Sequence, residues 1–117
     1  MTTFSLFNHE PDIRAVPAGQ TIFAEGQPGD QMYAVIEGEV EITRQGRHLA
    51  IIPAGGVFGE MALIDHLPRS ASAAAKTDCR IAAVPERRLM LLVSQNPQFA
   101  LQLMRLLVER IRHSLES

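Results

Sequence analysis

The chain has no tryptophan, a single tyrosine and a single cysteine. No apolar run approaches the roughly 20 residues that a membrane-spanning helix needs. The lone Cys79 excludes an internal disulfide and fits a reducing compartment. With Tyr33 and five Phe as the only aromatic bulk, the core must come mostly from Leu, Ile, Val, Met and Ala. Neither sign of charge dominates: 11 Lys and Arg against 13 Asp and Glu leave −2. Such a surface does not attract nucleic acid by its bulk field. Met1-Thr2-Thr3 lacks the basic and apolar regions of a signal peptide. The expectation is a soluble, cytoplasmic chain with neither a membrane nor a nucleic acid as partner. At 117 residues and 46% hydrophobic, residues 1–117 read as one domain with an ample core.

What is present is a run of short strand patterns punctuated by glycine and proline. Phe4, Leu6 and Phe7 form an apolar patch, read as a helical turn or a packed arm. Ile13–Val16 leads to the turn Pro17-Ala18-Gly19, and Thr21-Ile22-Phe23-Ala24 predicts a strand before Glu25-Gly26-Gln27-Pro28-Gly29-Asp30. Residues 32–36, 39–43 and 48–52 predict further strands around Glu37-Gly38 and Gln45-Gly46. Residues 71–75 and 79–84 predict two more. Such spacing favours a closed or rolled antiparallel sheet. The period then changes: Pro85 suits a first helical position, Asn96-Pro97 breaks that helix, and a long helix follows from Phe99 to about Glu116. Phe99, Leu103, Leu107, Ile111 and Leu115 make an i,i+4 stripe, widened by Met104, Leu106 and Val108. That width suggests a partner helix, or a ligand, beneath part of it.

The densest chemistry lies in Phe58-Gly59-Glu60-Met61-Ala62-Leu63 and, after a short gap, Pro68-Arg69-Ser70-Ala71. Gly59 and Ala62 are small enough for backbone to approach a ligand. A helical turn over Glu60–Leu63 would offer free N–H groups to an anion. Arg69 is the counter-charge, with a planar fork suited to phosphate oxygens, and Ser70 adds a hydroxyl donor. Glu60 would repel a phosphate, so its expected role is to accept hydrogen bonds from a neighbouring diol such as ribose. One guanidinium balances one negative charge, which suits a cyclic phosphodiester better than a triphosphate.

The blander alternatives are a surface Glu60–Arg69 pair and a turn glycine. The four histidines, His9, His48, His66 and His113, lack metal-binding spacing, so no metal is expected. Cys79 falls in a strand and reads as buried. Ser70 beside Glu60 lacks a positioned base, and no catalytic residue is assigned. Arg110, Arg112 and His113 suit a helix C-terminus.

Taken together, these segments resemble the cyclic nucleotide-binding domain, the effector module of cAMP receptor protein-like regulators and of cyclic nucleotide-gated channels and kinases. Glu25–Asp30 and Tyr33–Val40 are similar to that family's turns and strands. The resemblance implies an α+β fold: an antiparallel β-roll or jelly-roll barrel with an N-terminal helical segment, a short phosphate-cassette helix and C-terminal helices. It implies that Gly59 and Ala62 approach the cyclic phosphate, Glu60 binds the ribose 2′-hydroxyl and Arg69 binds an exocyclic oxygen. Ser70 and Ala71 would complete the cradle, with Met61 and Leu63 in the same cassette and Leu63 on its apolar side. Ser114, near the end of the last helix, would contact the base. Ser70 tilts the ligand toward cAMP, with cGMP as the competitor. No other cofactor is implied.

The family's transcription factors continue into a helix-turn-helix, whereas this sequence stops at Ser117. DNA binding by this chain alone is not expected. The expected function is a regulatory sensor, without catalysis, that transmits occupancy through its C-terminal helices. A homodimer through the last helix, a regulated protein or a fused domain is the expected partner. The alternative is a structural or protein-interaction module that has kept the barrel and lost the response.

Overall fold

The computed structural model describes residues 6–116, with side chains through residue 113. A 3-10 turn, Leu6–His9, opens the described chain and buries Phe7 completely. Phe4, the other half of the predicted apolar patch, lies outside the described residues. Eight strands and three α-helices follow: β1 Ile13–Val16, β2 Thr21–Phe23, β3 Gln31–Glu37, β4 Val40–Arg44, β5 Arg47–Ile52, β6 Val57–Phe58, α1 Glu60–Asp65, β7 Ser72–Ala75, β8 Cys79–Pro85, α2 Glu86–Gln95 and α3 Pro97–Glu116. None of the described helices is long and apolar enough to cross a membrane. The chain divides into two compact units, one running through the strands and α1 to Glu86, the other from Arg87 onward.

In the first unit every strand pairing is antiparallel. The strands form two separate sheets, ordered β1-β8-β3-β6 and β2-β7-β4-β5. This corrects the expected closed roll or jelly-roll barrel: neither sheet closes, and β1, β6, β2 and β5 remain edges. The reason lies at the corners. The chain passes from one sheet to the other six times, among them at Pro17–Gln20 and at Lys76–Asp78. There the backbone is stitched by short sets of bonds outside the strand ladders: Gly19 N to Ala75 O (2.7 Å) with Ala75 N to Gln20 O (3.0 Å), and Lys76 N (2.9 Å) and Thr77 N (3.4 Å) to Glu39 O. The α+β class and the antiparallel pairing stand; the closure does not.

The inner faces of the two sheets supply one apolar cluster. It contains Val16, Tyr33, Val35, Phe58, Cys79, Ile81 and Ala83 from the first sheet and Val40, Ala73 and Ala75 from the second. Period-two alternation sends Met32 and Ala34 to the opposite face of β3, where they are also buried. The 3-10 turn and α1 pack against β3. Thus β3 reads as a nearly continuous apolar run because it is central in its sheet and covered. Edge strand β5, by contrast, leaves Leu49 half exposed. Between β4 and β5, Gln45 and Gly46 both take positive φ (52° and 78°), as a two-residue hairpin requires. The sequence reading has no strand at β6; Pro85 ends β8 instead of opening α2, α3 opens at Pro97 instead of Phe99, and several strand ends shift by one residue.

In the second unit, Asn96 N donates to Leu92 O (2.9 Å) to finish α2, and Phe99 N donates to Asn96 O (3.0 Å) as α3 begins. α2 buries Leu89 and Leu92. α3 buries Phe99, Leu103 and Leu106, whereas Ile111, on the predicted i,i+4 stripe, is 59% exposed. At 3.6 residues per turn, strict i+4 steps drift off a fixed face, and the buried face moves from Leu103 to Leu106. The side chain of Leu115 lies outside the described residues.

Gly38 joins β3 to β4 at φ 89°, and a Cβ there would lie 2.4 Å from Asp78 O and 2.9 Å from Cys79 Sγ. Gly38→Ala combines backbone strain with a main-chain clash, so urea unfolding should show a loss of about 2–5 kcal/mol. A loss within 0.5 kcal/mol (roughly the scatter of surface substitutions) would contradict this packing.

Candidate functional site

Strand β6 delivers the chain to Gly59, whose φ of 77° turns it into α1. No side-chain cap is present at this helix start. The predicted helical turn at Glu60 is therefore realised, and it extends to Asp65. His66 then takes φ 60° and donates its N–H to Ala62 O (3.0 Å), which ends the helix.

Arg69 organises the surroundings. Its main chain is clamped on both sides by the loop between β2 and β3: Arg69 N donates to Gln27 O and Gly26 N donates to Arg69 O, each at 2.8 Å. Its side chain is 5% exposed. Nη1 donates to Gly59 O at 2.8 Å and Nη2 to Gln31 O at 2.7 Å. The guanidinium carbon sits 4.1 Å from the centroid of the Phe23 ring and 5.8 Å from that of Tyr33. Nε is buried and, among the described residues, has no hydrogen-bond partner. A guanidinium carries all its donors in one plane, so the neighbours satisfy two corners of that plane and leave the third.

Electrostatics agree with this burial. Desolvation pulls the Arg69 guanidinium below its ordinary range, while Tyr33, Asp30 and Glu60 act in the opposite direction. Arginine is so strong a base that it keeps its charge at neutral pH. Glu60 is itself 3% exposed. A carboxylate and a guanidinium are thus withdrawn from water in one neighbourhood, an arrangement disfavoured without compensating partners.

The other predicted residues divide. Ala62, Leu63 and Ala71 are buried beside the cassette. Ala62 is close enough to Gly29 that a Cβ on the glycine would lie 2.7 Å from its own. Met61 is 55% exposed. Ser70 is exposed, and its carbonyl accepts Nε of Arg44 at 2.9 Å. Ser114 lies on α3 in the second unit, and its side chain is outside the described residues. Sequence reasoning missed Phe23, Gly29 and Gln31 as contributors. The glycines of Glu25–Asp30 were the available signal, although a turn alone would explain them. Among the described residues, no three His, Cys, Asp or Glu side chains gather as a metal site. His48 instead meets Glu41 at 2.8 Å on the surface.

A family model, the Cyclic nucleotide-binding domain, matches residues 13–96. The CRP-like cAMP-activated global transcriptional regulator of Mycobacterium tuberculosis is 37% identical over 103 residues, which cover 84% of this chain and 46% of that one. The crystal structure of the Thermus thermophilus catabolite activator protein superposes with a TM-score of 0.81 at 36% identity, covering 88% of this chain and 51% of that one. A chain from a cyclic-GMP-dependent signalling pathway that regulates bacterial phytopathogenesis gives a TM-score of 0.77 at 30% identity, covering 86% and 84%. This chain therefore spans about half the length of the two regulators.

A Cβ on Gly29 would stand 2.5 Å from Arg69 Nε and 2.6 Å from its Cζ. Gly29→Ala must displace the guanidinium from at least one carbonyl, and we expect a stability loss of about 1–3 kcal/mol by thermal or urea unfolding. An unchanged midpoint would show that Arg69 is not held there.

Proposed function

The chain belongs to the cyclic nucleotide-binding domain family, and on that premise we propose that it senses cAMP with the Gly59–Leu63 and Arg69–Ala71 cassette. One observation carries the assignment of the site: a guanidinium withdrawn from solvent whose buried Nε–H has no partner among the described residues. An unpaired buried donor costs on the order of 1–3 kcal/mol, and an arriving phosphate oxygen removes that penalty. The single charge of a cyclic phosphodiester matches the single Arg69.

In this reading Arg69 and the backbone around Gly59 and Ala62 receive the phosphate. Glu60 accepts from the ribose 2′-hydroxyl. Ser70 and Ala71 close the cradle, with Met61 in the same cassette and Leu63 on its apolar side. Ser114 is the residue assigned to the base, and residues 1–117 act as one cytoplasmic regulatory domain that does not hydrolyse its ligand. The Ser70 hydroxyl and the cAMP-activated relative favour cAMP. The cyclic-GMP pathway relative makes cGMP the competitor to test.

The proposed response is a ligand-biased equilibrium in which α2 and α3 move. A ligand drives such a change only by binding one arrangement more tightly than the other. The proposed recipient of that movement is a second copy, a regulated protein or a fused domain. Met104, Val108 and Ile111, each about half exposed on α3, supply the proposed homodimer face. Sedimentation that stays monomeric across concentration would remove the dimer from this account.

Calorimetry with cAMP and cGMP tests the central claim. Arg69→Ala should weaken cAMP binding by about 2–5 kcal/mol. Arg69→Lys, which keeps the charge and loses the planar fork, should recover only part. Glu60→Gln should cost cAMP about 1–3 kcal/mol and the 2′-deoxy analogue much less. Equal losses for the two ligands would falsify the diol contact, and no binding of either nucleotide to the unaltered chain would overturn the function.

A further inference from the structure

Strand β2 carries an irregularity with a consequence for Arg69. Opposite the consecutive pair Ala74 and Ala73 of β7, β2 presents Thr21 and Phe23, so Ile22 is an extra residue. In a regular strand Ile22 and Phe23 would point to opposite faces. Here both pack against the inter-sheet cluster. A bulge that re-aims a side chain is a device often found beside functional sites.

The re-aimed side chain is the ring that faces the guanidinium at 4.1 Å. The ring is itself braced by neighbours: its centroid is 5.9 Å from Tyr33 and 6.0 Å from Phe58. Phe23 Cε2 would also be 3.3 Å from a Cβ on Gly59, so ring, cap glycine and guanidinium crowd one small volume. The two hydrogen bonds from Nη1 and Nη2 anchor two points of the guanidinium plane, while the ring supports its face and resists tilting about the line between them. The direction of the unpaired Nε–H then follows from the tilt that the ring permits.

We propose that Phe23 is a positioning residue for anion recognition: the β2 bulge turns its ring under Arg69 and thereby fixes the direction of the unpaired Nε–H. This inference rests on the assignment of Arg69 as the phosphate-binding residue. Phe23 acts through Arg69, and its effect should vanish when the guanidinium is absent. A ring that only filled the core would affect stability alike in both backgrounds and would leave ligand affinity uncoupled from Arg69.

The test is a double-mutant cycle on the 117-residue chain, read by calorimetry with cAMP and cGMP and by thermal unfolding. Phe23→Leu keeps apolar volume and removes the π face. It should weaken binding of the preferred nucleotide by about 3- to 30-fold, the range of a partly to fully desolvated cation–π contact. Phe23→Tyr should restore affinity to within about threefold. On an Arg69→Lys background, where the planar fork is gone, Phe23→Leu should have less than half of its logarithmic effect. If Phe23→Leu does not fold, Phe23→Met takes its place, with Phe23→Tyr as the rescue. Unaltered chain that binds neither nucleotide removes the parent assignment. Unaltered chain that binds, with Phe23→Leu or Phe23→Met within twofold of it, or with equal losses in the two Arg69 backgrounds, overturns the positioning role alone.

Discussion

A guanidinium withdrawn from water needs its charge and its donors answered, and the answers given to Arg69 account for much of the surrounding chain. Its positive charge is met by the carboxylates of Asp30 and Glu60 and by the faces of Phe23 and Tyr33. Two of its donors are met by main-chain carbonyls, Gly59 O at the start of α1 and Gln31 O at the start of β3. Those bonds make the side chain a tie between two elements that are distant in sequence. They also leave no room at Gly29 and little at Gly59, where an added Cβ would collide with the guanidinium. Glycine at 29 is explained by space, and glycine at 59 by space and by positive φ together.

Such a tie is stable only if the loops that carry it are held. The loop between β2 and β3 clasps the Arg69 main chain through Gly26 and Gln27, and Glu25 adds a second pair of anchors. Its N–H donates to Ser72 Oγ, and its carboxylate accepts from Gln45 N in the β4–β5 hairpin. Arg44 of the same hairpin reaches Ser70 O. The cassette is thereby fastened to both sheets. This arrangement joins rigidity where an anion would be oriented to one buried donor left open, the combination that preorganised recognition requires.

Local chemistry was readable where it depends on residue type and spacing. Glycine before Glu60, small residues at Ala62 and Ala71, and arginine nine residues after Glu60 define the cassette without reference to the rest of the chain. Strand positions were readable for the same reason, since turns and alternation are local. Sheet closure was not. Periodicity states that a strand has an inner face, but the partner across each edge is set by where the chain turns its corners, and these corners leave two open sheets. Nor did the α3 stripe follow from apolar spacing alone: Ile111 fits the pattern and is nevertheless exposed. Phe23 read as an ordinary strand residue because its direction depends on a bulge that appears only when β2 is laid against β7.

The sequence by itself determined most of the elements and the family, and it nominated residues for an anion and a sugar, because each of these rests on short-range spacing and side-chain chemistry. The tertiary structure alone decided that Arg69 is buried instead of solvated, which carbonyls engage it, and which donor stays unpaired. Those are properties of distance between Phe23, Gly29, Gln31, Gly59 and Arg69, segments that only the folded sheets bring within a few ångströms of one another.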